Sequence, residues 1–349
     1  MFLEVGLVTL FLPFVLSFWG TKIFIRWSLR RGVLLDIPNE RSSHVEPVPR
    51  GGGIVFVAIC LASALIYGAI WERTLLYFFA GGIVVVAISW LDDVLSLPVW
   101  IRFLTHSVTA FLVIYLLGYW DNLYIPVLGD VYLGSFGMVV TFLWIVWVIN
   151  AYNFMDGIDG LMSALGVVAG AGWAVVSIVS KSESVFFLTS VVVTSVLGFL
   201  VHNWSPAKVF MGDVGSTFLG YCFAVMPLLA SGLLFQQVPN GFWFTFAVFC
   251  LFLPLFDTTF TLIRRALRGE KVWQAHRSHL YQRLVKAGIP HDKVTMFYIF
   301  LSLFTANSAV WMLLFIGSKD HELVPVVLGL LSVLFLVVAV DIVEKRKVK

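Results

Sequence analysis

Four stretches of this sequence carry carboxylates, amides or histidines at spacings that suit chemistry on anions. The first is Ser89-Trp90-Leu91-Asp92-Asp93-Val94-Leu95-Ser96-Leu97-Pro98. Two adjacent carboxylates suit a divalent cation or a proton relay, and like charges this close push one pKa up, which helps a general base. A helix C-terminus is a poor place for anions, although a solvated turn ended by Pro98 explains this motif alone equally well. The second runs from Asn150 to Leu161 and places Asn153, Asp156 and Asp159 three residues apart. Any helical character puts them on one face, and Gly157 and Gly160 allow a tight turn and close ligand approach. It lacks the flanking acidic positions and closing Glu of a calcium loop. Magnesium with a phosphate substrate fits better, because one or two carboxylates suffice and phosphate and water complete the shell.

The third stretch, Pro206 to Ser216, sets Asp213, Gly215 and Ser216 at a helix start, where backbone donors favour anions. Lys208 is a natural phosphate contact there, and Asp213 a carboxylate able to hold a metal that bridges to phosphate oxygens. The fourth, His276-Arg277-Ser278-His279, lies in a basic loop with no cysteine or clear third zinc ligand. Phosphate or diphosphate binding, helped by Arg277 and Arg283, is the better reading. Pro49-Arg50-Gly51-Gly52-Gly53 is weaker evidence: its glycines either turn backbone N–H groups toward a phosphate or let helices approach closely.

What must position these residues is membrane-embedded. The chain has 349 residues, 60% of them hydrophobic and only 12% charged, with 32 Phe and 13 Trp, and a mean hydropathy of +0.95. Soluble domains are about 45–50% apolar and about 25% charged. A soluble enzyme, a nucleic-acid reader and a disordered scaffold are excluded, and a net charge of +3 is too small to imply a polyanion partner. The three cysteines, Cys60, Cys222 and Cys250, lie inside apolar runs without metal or disulfide spacing and read as small buried hydrophobes. The N-terminal run lacks the basic start and cleavage site of a signal peptide and reads as a retained membrane helix.

Apolar runs cover 3–25, 51–71, 74–91, 103–119, 134–152, 160–180, 184–201, 214–235, 241–262, 294–316 and 322–343. Each is continuous rather than alternating and long enough to span as a helix, which disfavours a β-barrel. The expectation is an all-α, polytopic bundle of about 11 transmembrane helices, a single domain over 1–349 without repeats. Of the 23 Lys and Arg, 19 fall in the loops 26–50, 92–102, 150–159, 202–213 and 264–293 and in the tail after 344. Three (Arg73, Lys181 and Lys319) fall on the other side, and Lys22 near a span end can snorkel. The positive-inside rule makes the basic side cytoplasmic, with the N-terminus outside and the C-terminus inside. Every polar cluster above then lies at the cytoplasmic mouth, with Asp257 deep in the ninth span near the same end. Ionised groups at the hydrocarbon edge are costly without partners or a task.

The motifs PRGGG (49–53), DDVLSLP (92–98), NAYNFMDGIDGL (150–161), PAKVFMGDVGSTFLG (206–220) and HRSHLYQRL (276–284) occur in this order. In that set the chain resembles the polyprenyl-phosphate N-acetylhexosamine-1-phosphate transferases, a bacterial membrane superfamily that includes the phospho-MurNAc-pentapeptide translocases. The resemblance implies a Mg²⁺- or Mn²⁺-dependent reaction in the cytoplasmic membrane. A UDP-linked HexNAc gives its sugar 1-phosphate to undecaprenyl phosphate, releasing UMP. It implies catalytic roles for Asp92, Asp93, Asp156 and Asp159, and metal binding by Asp213 with Asp156. Contacts to substrate phosphate or nucleotide are implied for Asn153, Lys208, His276, Arg277, His279, Arg283 and Arg50. A homodimer is a family-level expectation, and direct attack is favoured over an aspartyl-phosphate intermediate. The branch that starts O-antigen or capsule chains, with donors such as UDP-FucNAc or UDP-QuiNAc, looks closest from the HRSH form. The translocase branch, with a lysine beyond its paired Asp and a late histidine run, fits less well. The rivals are a UDP-GlcNAc-specific transferase and a non-enzymatic transporter. The latter calls for midplane charges and paired repeats, neither of which is visible.

Overall fold

The computed structural model describes residues 2–38, 46–95, 97–234, 238, 241–272, 274, 276–315 and 319–348. Arg41, Ser96 and Lys349, counted or quoted above, lie outside the described residues. The chain forms a helical bundle: α1 (Phe2–Arg31), α2 (Ile54–Ile70), α3 (Thr74–Leu95), α4 (Val99–Leu117), α5 (Phe136–Met155), α6 (Leu161–Val179), α7 (Glu183–Asn203), α8 (Gly212–Leu233), α9 (Phe242–Cys250), α10 (Phe252–Leu267), α11 (Leu280–Lys286), α12 (His291–Leu314) and α13 (Lys319–Val348). Among the described residues, nine helices are long and apolar enough to cross a membrane, or ten if the bent pair α9–α10 counts as one span. The expected span at 51–71 appears as the shorter apolar helix Ile54–Ile70. The expected continuous helix over 241–262 is instead broken at Leu251, where α9 and α10 meet at 79°. Pro254 explains the break: it lacks the N–H that would have bonded the Cys250 carbonyl.

Two short antiparallel ribbons, which the hydropathy pattern did not foretell, decorate the loops. One pairs β1 (Leu35–Asp36) with β2 (Val48–Pro49), the other β3 (Asn122–Ile125) with β4 (Gly129–Tyr132). The second hairpin is tied to α13 by a hydrogen bond from the Val127 amide to Glu322 Oε2 at 2.9 Å.

The hub is α8, whose apolar window is 94% buried, as expected of a helix apolar on all sides. It packs against α3 and α5 through glycines that bring backbones together. A Cβ on Gly81 would lie 2.5 Å from the Tyr221 hydroxyl, and one on Gly220 would lie 2.7 Å from Ile149 Cα. Tyr221 uses the space to donate a 2.6 Å hydrogen bond to the Phe78 carbonyl. These contacts fix the axial register of α3, α5 and α8. The end of α3 (Asp92, Asp93), the end of α5 (Asn153) and the start of α8 (Asp213) therefore meet at one mouth of the bundle.

Candidate active site

The paired aspartates take different partners. Asp93, 5% exposed, accepts from the Asp213 amide at Oδ1 and the Val214 amide at Oδ2, both at 3.0 Å. Its carboxylate thus caps the otherwise unsatisfied N-terminal donors of α8. Asp92, 6% exposed, accepts from the Leu97 amide at 2.6 Å and faces Arg102 Nε at 3.3 Å. Arg102, in the first turns of α4, also reaches Asp213 Oδ2 at 3.4 Å. Asn153 donates to Asp213 Oδ1 at 2.9 Å and to the Ser216 hydroxyl at 3.2 Å. Asp213 itself keeps 33% of its side chain exposed. It is the carboxylate of this group most open to a ligand.

Asp156, just past α5, has its carboxyl pushed up to about 8 by burial, and further by the negative charges of Asp213, Asp93 and Asp159. Burial also acts to raise Asp159. A hydrogen bond and charge interaction with His291, together with the Ala207 amide, outweigh burial and hold Asp159 below the usual carboxylate range. Asp159 Oδ1 lies 3.4 Å from His291 Nδ1, its Oδ2 accepts from the Ala207 amide at 3.2 Å, and its carbonyl accepts from Thr295 at 3.1 Å. It ties the 156–160 turn to the 204–208 loop and to α12.

The glycine run at 51–53 is used for close approach. The Gly52 and Gly53 amides donate to the Phe210 and Met211 carbonyls at 3.0 and 2.9 Å, so they do not cradle a phosphate. Gly212, at φ +74°, has room only for hydrogen: a Cβ would lie 2.6 Å from Gly51 Cα and 2.7 Å from Asp93 Oδ2. Arg50 Nη2 donates to the Asp93 carbonyl at 2.5 Å. Arg50 therefore supports the end of α3.

His276 and His279 lie with ring centroids 4.9 Å apart, the rings tilted by 35°. His276 Nδ1 is 3.1 Å from the Ser278 hydroxyl, and His279 Nδ1 is 3.4 Å from Asp257 Oδ1. Asp257 is fully buried and also accepts from the Leu280 and Tyr281 amides, Tyr298 and Thr261. Arg277 and Lys208 are exposed. Arg283, expected above at phosphate, is committed instead to a bidentate pair with Glu344 of α13, at 2.7 and 2.5 Å. Arg102 is a site residue that none of the sequence motifs marks. Its signal was modest: a cation in the first turns of a helix that begins just after the paired aspartates.

Between α4, α5 and the residues Val272, Gln274, His276 and His279 lies a cavity of about 710 Å³. Val99, Phe103, Leu143 and Trp147 supply apolar wall, while Arg102, Asn150, Asn153, His276 and His279 supply a polar end. The carboxylate cluster and this cavity share Arg102 and Asn153. Among the described residues no three Asp, Glu, His or Cys side chains form a ready metal shell. The group nonetheless fits a magnesium ion, which takes one or two protein carboxylates and fills its shell with substrate phosphate and water. Asp213 is open, and Asp156 carries an excess of neighbouring negative charge.

Residues 75–231 match the family model described as glycosyl transferase family 4. The chain is 31% identical over 304 residues to a probable undecaprenyl-phosphate N-acetylglucosaminyl 1-phosphate transferase of Bacillus subtilis, covering 85% of this chain and 84% of the relative. It is 29% identical over 333 residues to a decaprenyl-phosphate N-acetylglucosaminephosphotransferase of Mycolicibacterium smegmatis, covering 87% and 80%. A shorter match, 37% over 118 residues and 34% of this chain, is to a phospho-N-acetylmuramoyl-pentapeptide-transferase of Leuconostoc citreum, 37% of which is covered. With five motifs in order, a multi-pass bundle that gathers their carboxylates and a relative matched over most of both lengths, the chain belongs to the polyprenyl-phosphate N-acetylhexosamine-1-phosphate transferase superfamily of membrane enzymes.

Proposed function

We propose that this enzyme transfers a HexNAc-1-phosphate from a UDP-sugar to undecaprenyl phosphate and so starts a surface polysaccharide. The observation that carries the reading is the meeting of Asp92, Asp93, Asp156, Asp213 and Asn153 beside an apolar cavity whose polar end shares Arg102 and Asn153 with that cluster. A long isoprenoid suits the wall of Val99, Phe103, Leu143 and Trp147, and its phosphate reaches the carboxylate cluster. The nucleotide sugar meets the His276–His279 loop at the rim, with Arg277 and Lys208 exposed for its diphosphate.

An acceptor phosphate oxygen attacks the sugar-bearing phosphorus. The bond from that phosphorus to the oxygen bridging the nucleotide phosphate breaks, and UMP leaves with the electron pair. Phosphoryl transfer of this kind needs alignment and charge stabilisation above all. Arg102, between Asp92 and Asp213, is placed to hold an acceptor oxygen. Asp92 is the carboxylate placed to orient or deprotonate it, while Asp93 holds the α8 N-terminus and with it the position of Asp213. A magnesium ion held by Asp213 and Asp156 supplies, when bound, the positive charge that offsets the assembled phosphates. Asp159 serves as the latch that sets the turn carrying Asp156.

The reading includes eleven membrane segments: the nine long helices, the bent pair α9–α10 and Ile54–Ile70. The basic loops and the site face the cytoplasm, and the N-terminus lies outside, on the positive-inside rule. Two donors are favoured by different observations. The HRSHLYQRL form at 276–284 favours a 6-deoxy-HexNAc and an O-antigen role, whereas near-full-length similarity to N-acetylglucosamine transferases favours UDP-GlcNAc. UMP release by purified protein with undecaprenyl phosphate, Mg²⁺ and a panel of UDP-sugars tests both. Release from none of them rejects the transferase reading; release from UDP-GlcNAc alone rejects the 6-deoxy branch.

A further inference from the structure

His106 is a buried polar side chain with no role in the motifs above. It lies on α4, 3% exposed, and its Nδ1 has no hydrogen-bond partner in the protein. It also lines the cavity of about 710 Å³. A buried polar atom without a partner is costly enough that native structures seldom keep one without a water or ligand to meet it.

Its position indicates which ligand. Arg102 and His106 are four residues apart and share a face of α4. At about 1.5 Å rise per residue, His106 sits roughly 6 Å farther from the carboxylate mouth than Arg102. The surrounding wall is apolar, and Val99, Phe103 and Leu143 are each 57% exposed on the outside of the bundle, so the cavity borders the lipid-facing surface. The donor's polar nucleotide has no reason to descend past Arg102 into this wall. An isoprenoid tail lying against this wall runs beside His106, and the phosphate at its head, held at Arg102, comes within reach of the His106 ring.

We propose that His106 is a substrate-contact residue that donates a hydrogen bond to a phosphate oxygen of the polyprenyl phosphate as it approaches Arg102. Asn150 of α5, whose Nδ2 donates to the Val146 carbonyl at 2.7 Å, also bonds to the ring through its side chain, which leaves the partnerless Nδ1 of His106 for the lipid. The inference rests on the transferase reading and adds a residue to its acceptor side.

The test is steady-state UMP release by detergent-purified enzyme, varying undecaprenyl phosphate and UDP-sugar separately. His106→Phe keeps a ring of similar shape and removes both nitrogens; His106→Leu is a second donor-free variant should the phenyl ring disturb the wall; His106→Asn returns a donor near the Nδ1 position. The expected result is an acceptor KM raised about tenfold or more in a monodisperse donor-free variant, with donor KM within about twofold of wild type and partial recovery in His106→Asn. An unchanged acceptor KM in a monodisperse donor-free variant overturns the assignment. So does a fall in kcat shared equally by all variants with both KM values intact, which marks a structural role, and so does a rise confined to the donor KM. If wild-type protein releases no UMP from any UDP-sugar, the transferase reading fails and this inference with it. An active wild type with unaltered variants sinks the His106 assignment alone.

Discussion

Removing the Asp257 carboxylate is expected to loosen the histidine loop from a distance. Asp257 is fully buried and accepts from the Tyr298 hydroxyl at 2.7 Å, the Leu280 amide at 2.8 Å, the Thr261 hydroxyl at 3.1 Å and the Tyr281 amide at 3.2 Å, with His279 Nδ1 3.4 Å away. In Asp257→Ala these donors lose their acceptor inside the protein. Each unsatisfied buried donor costs about 1–3 kcal/mol. Local repacking and water entry cap the total near the ~3–5 kcal/mol typical of breaking a buried charge cluster by removing one partner. With an unfolding entropy of about 2.1 cal/mol/K per residue, 349 residues convert that to a fall of about 4–7 °C in the melting temperature of the detergent-solubilised protein. The same donors position α11 and the His276–His279 pair, so the donor KM is expected to rise about tenfold while the acceptor KM moves little. Asp257→Asn keeps one oxygen and is expected to lose about half as much stability. An Asp257→Ala protein that melts within about 1 °C of wild type and binds UDP-sugar normally would refute the view that this carboxylate holds the loop.

Three further outcomes are expected. Gly53→Ala places a Cβ 2.6 Å from Gly215 Cα and 2.7 Å from the Met211 carbonyl. Neither is a flexible side chain, so overpacking is expected to cost about 1–3 kcal/mol and to displace the start of α8, lowering kcat by at least about tenfold in UMP-release assays. Arg283→Ala is expected to keep the donor KM within about twofold, because Arg283 is held by Glu344; a double-mutant cycle with Glu344→Ala in thermal melts is expected to give a coupling of about 1 kcal/mol for this partly exposed pair. The Asp156 carboxyl, pushed up to about 8 from an ordinary value near ~4, binds a proton more tightly folded than unfolded. Metal-free protein should therefore lose stability as pH rises from about 4 to 8, and level off above. Mg²⁺ is then expected to raise the melting temperature more at pH 8.5 than at pH 6, where a proton already occupies the site, and Asp156→Asn is expected to shrink the difference.

The long helices were legible because each is a continuous apolar run, and the carboxylates because they sit where such runs end; the seven-residue α11 in the basic loop was not. Long-range pairing was not legible. Nothing local to Arg283 distinguishes a phosphate contact from a partner of Glu344, 61 residues away. The glycines at 51–53 allow two readings from sequence, and it is the tertiary placement of the Phe210 and Met211 carbonyls on the Gly52 and Gly53 amides that decides between them. The division of labour between Asp92 and Asp93 is likewise tertiary, since only the docking of α8 against α3 decides which carboxylate is capped by backbone amides and which meets Arg102. The kink at Leu251 had a local cause in Pro254. An apolar run masks it, because hydropathy is blind to the hydrogen bond that a proline deletes.

The most direct measurement is UMP release by purified protein given undecaprenyl phosphate, a UDP-HexNAc and Mg²⁺, compared with Asp213→Asn protein shown to be folded by its melting curve. Mg²⁺-dependent release by wild type, reduced at least about a hundredfold in Asp213→Asn, is the expected result. Equal release by both proteins, or release unaffected by chelation, would contradict a reaction centred on Asp213 at the mouth of the bundle.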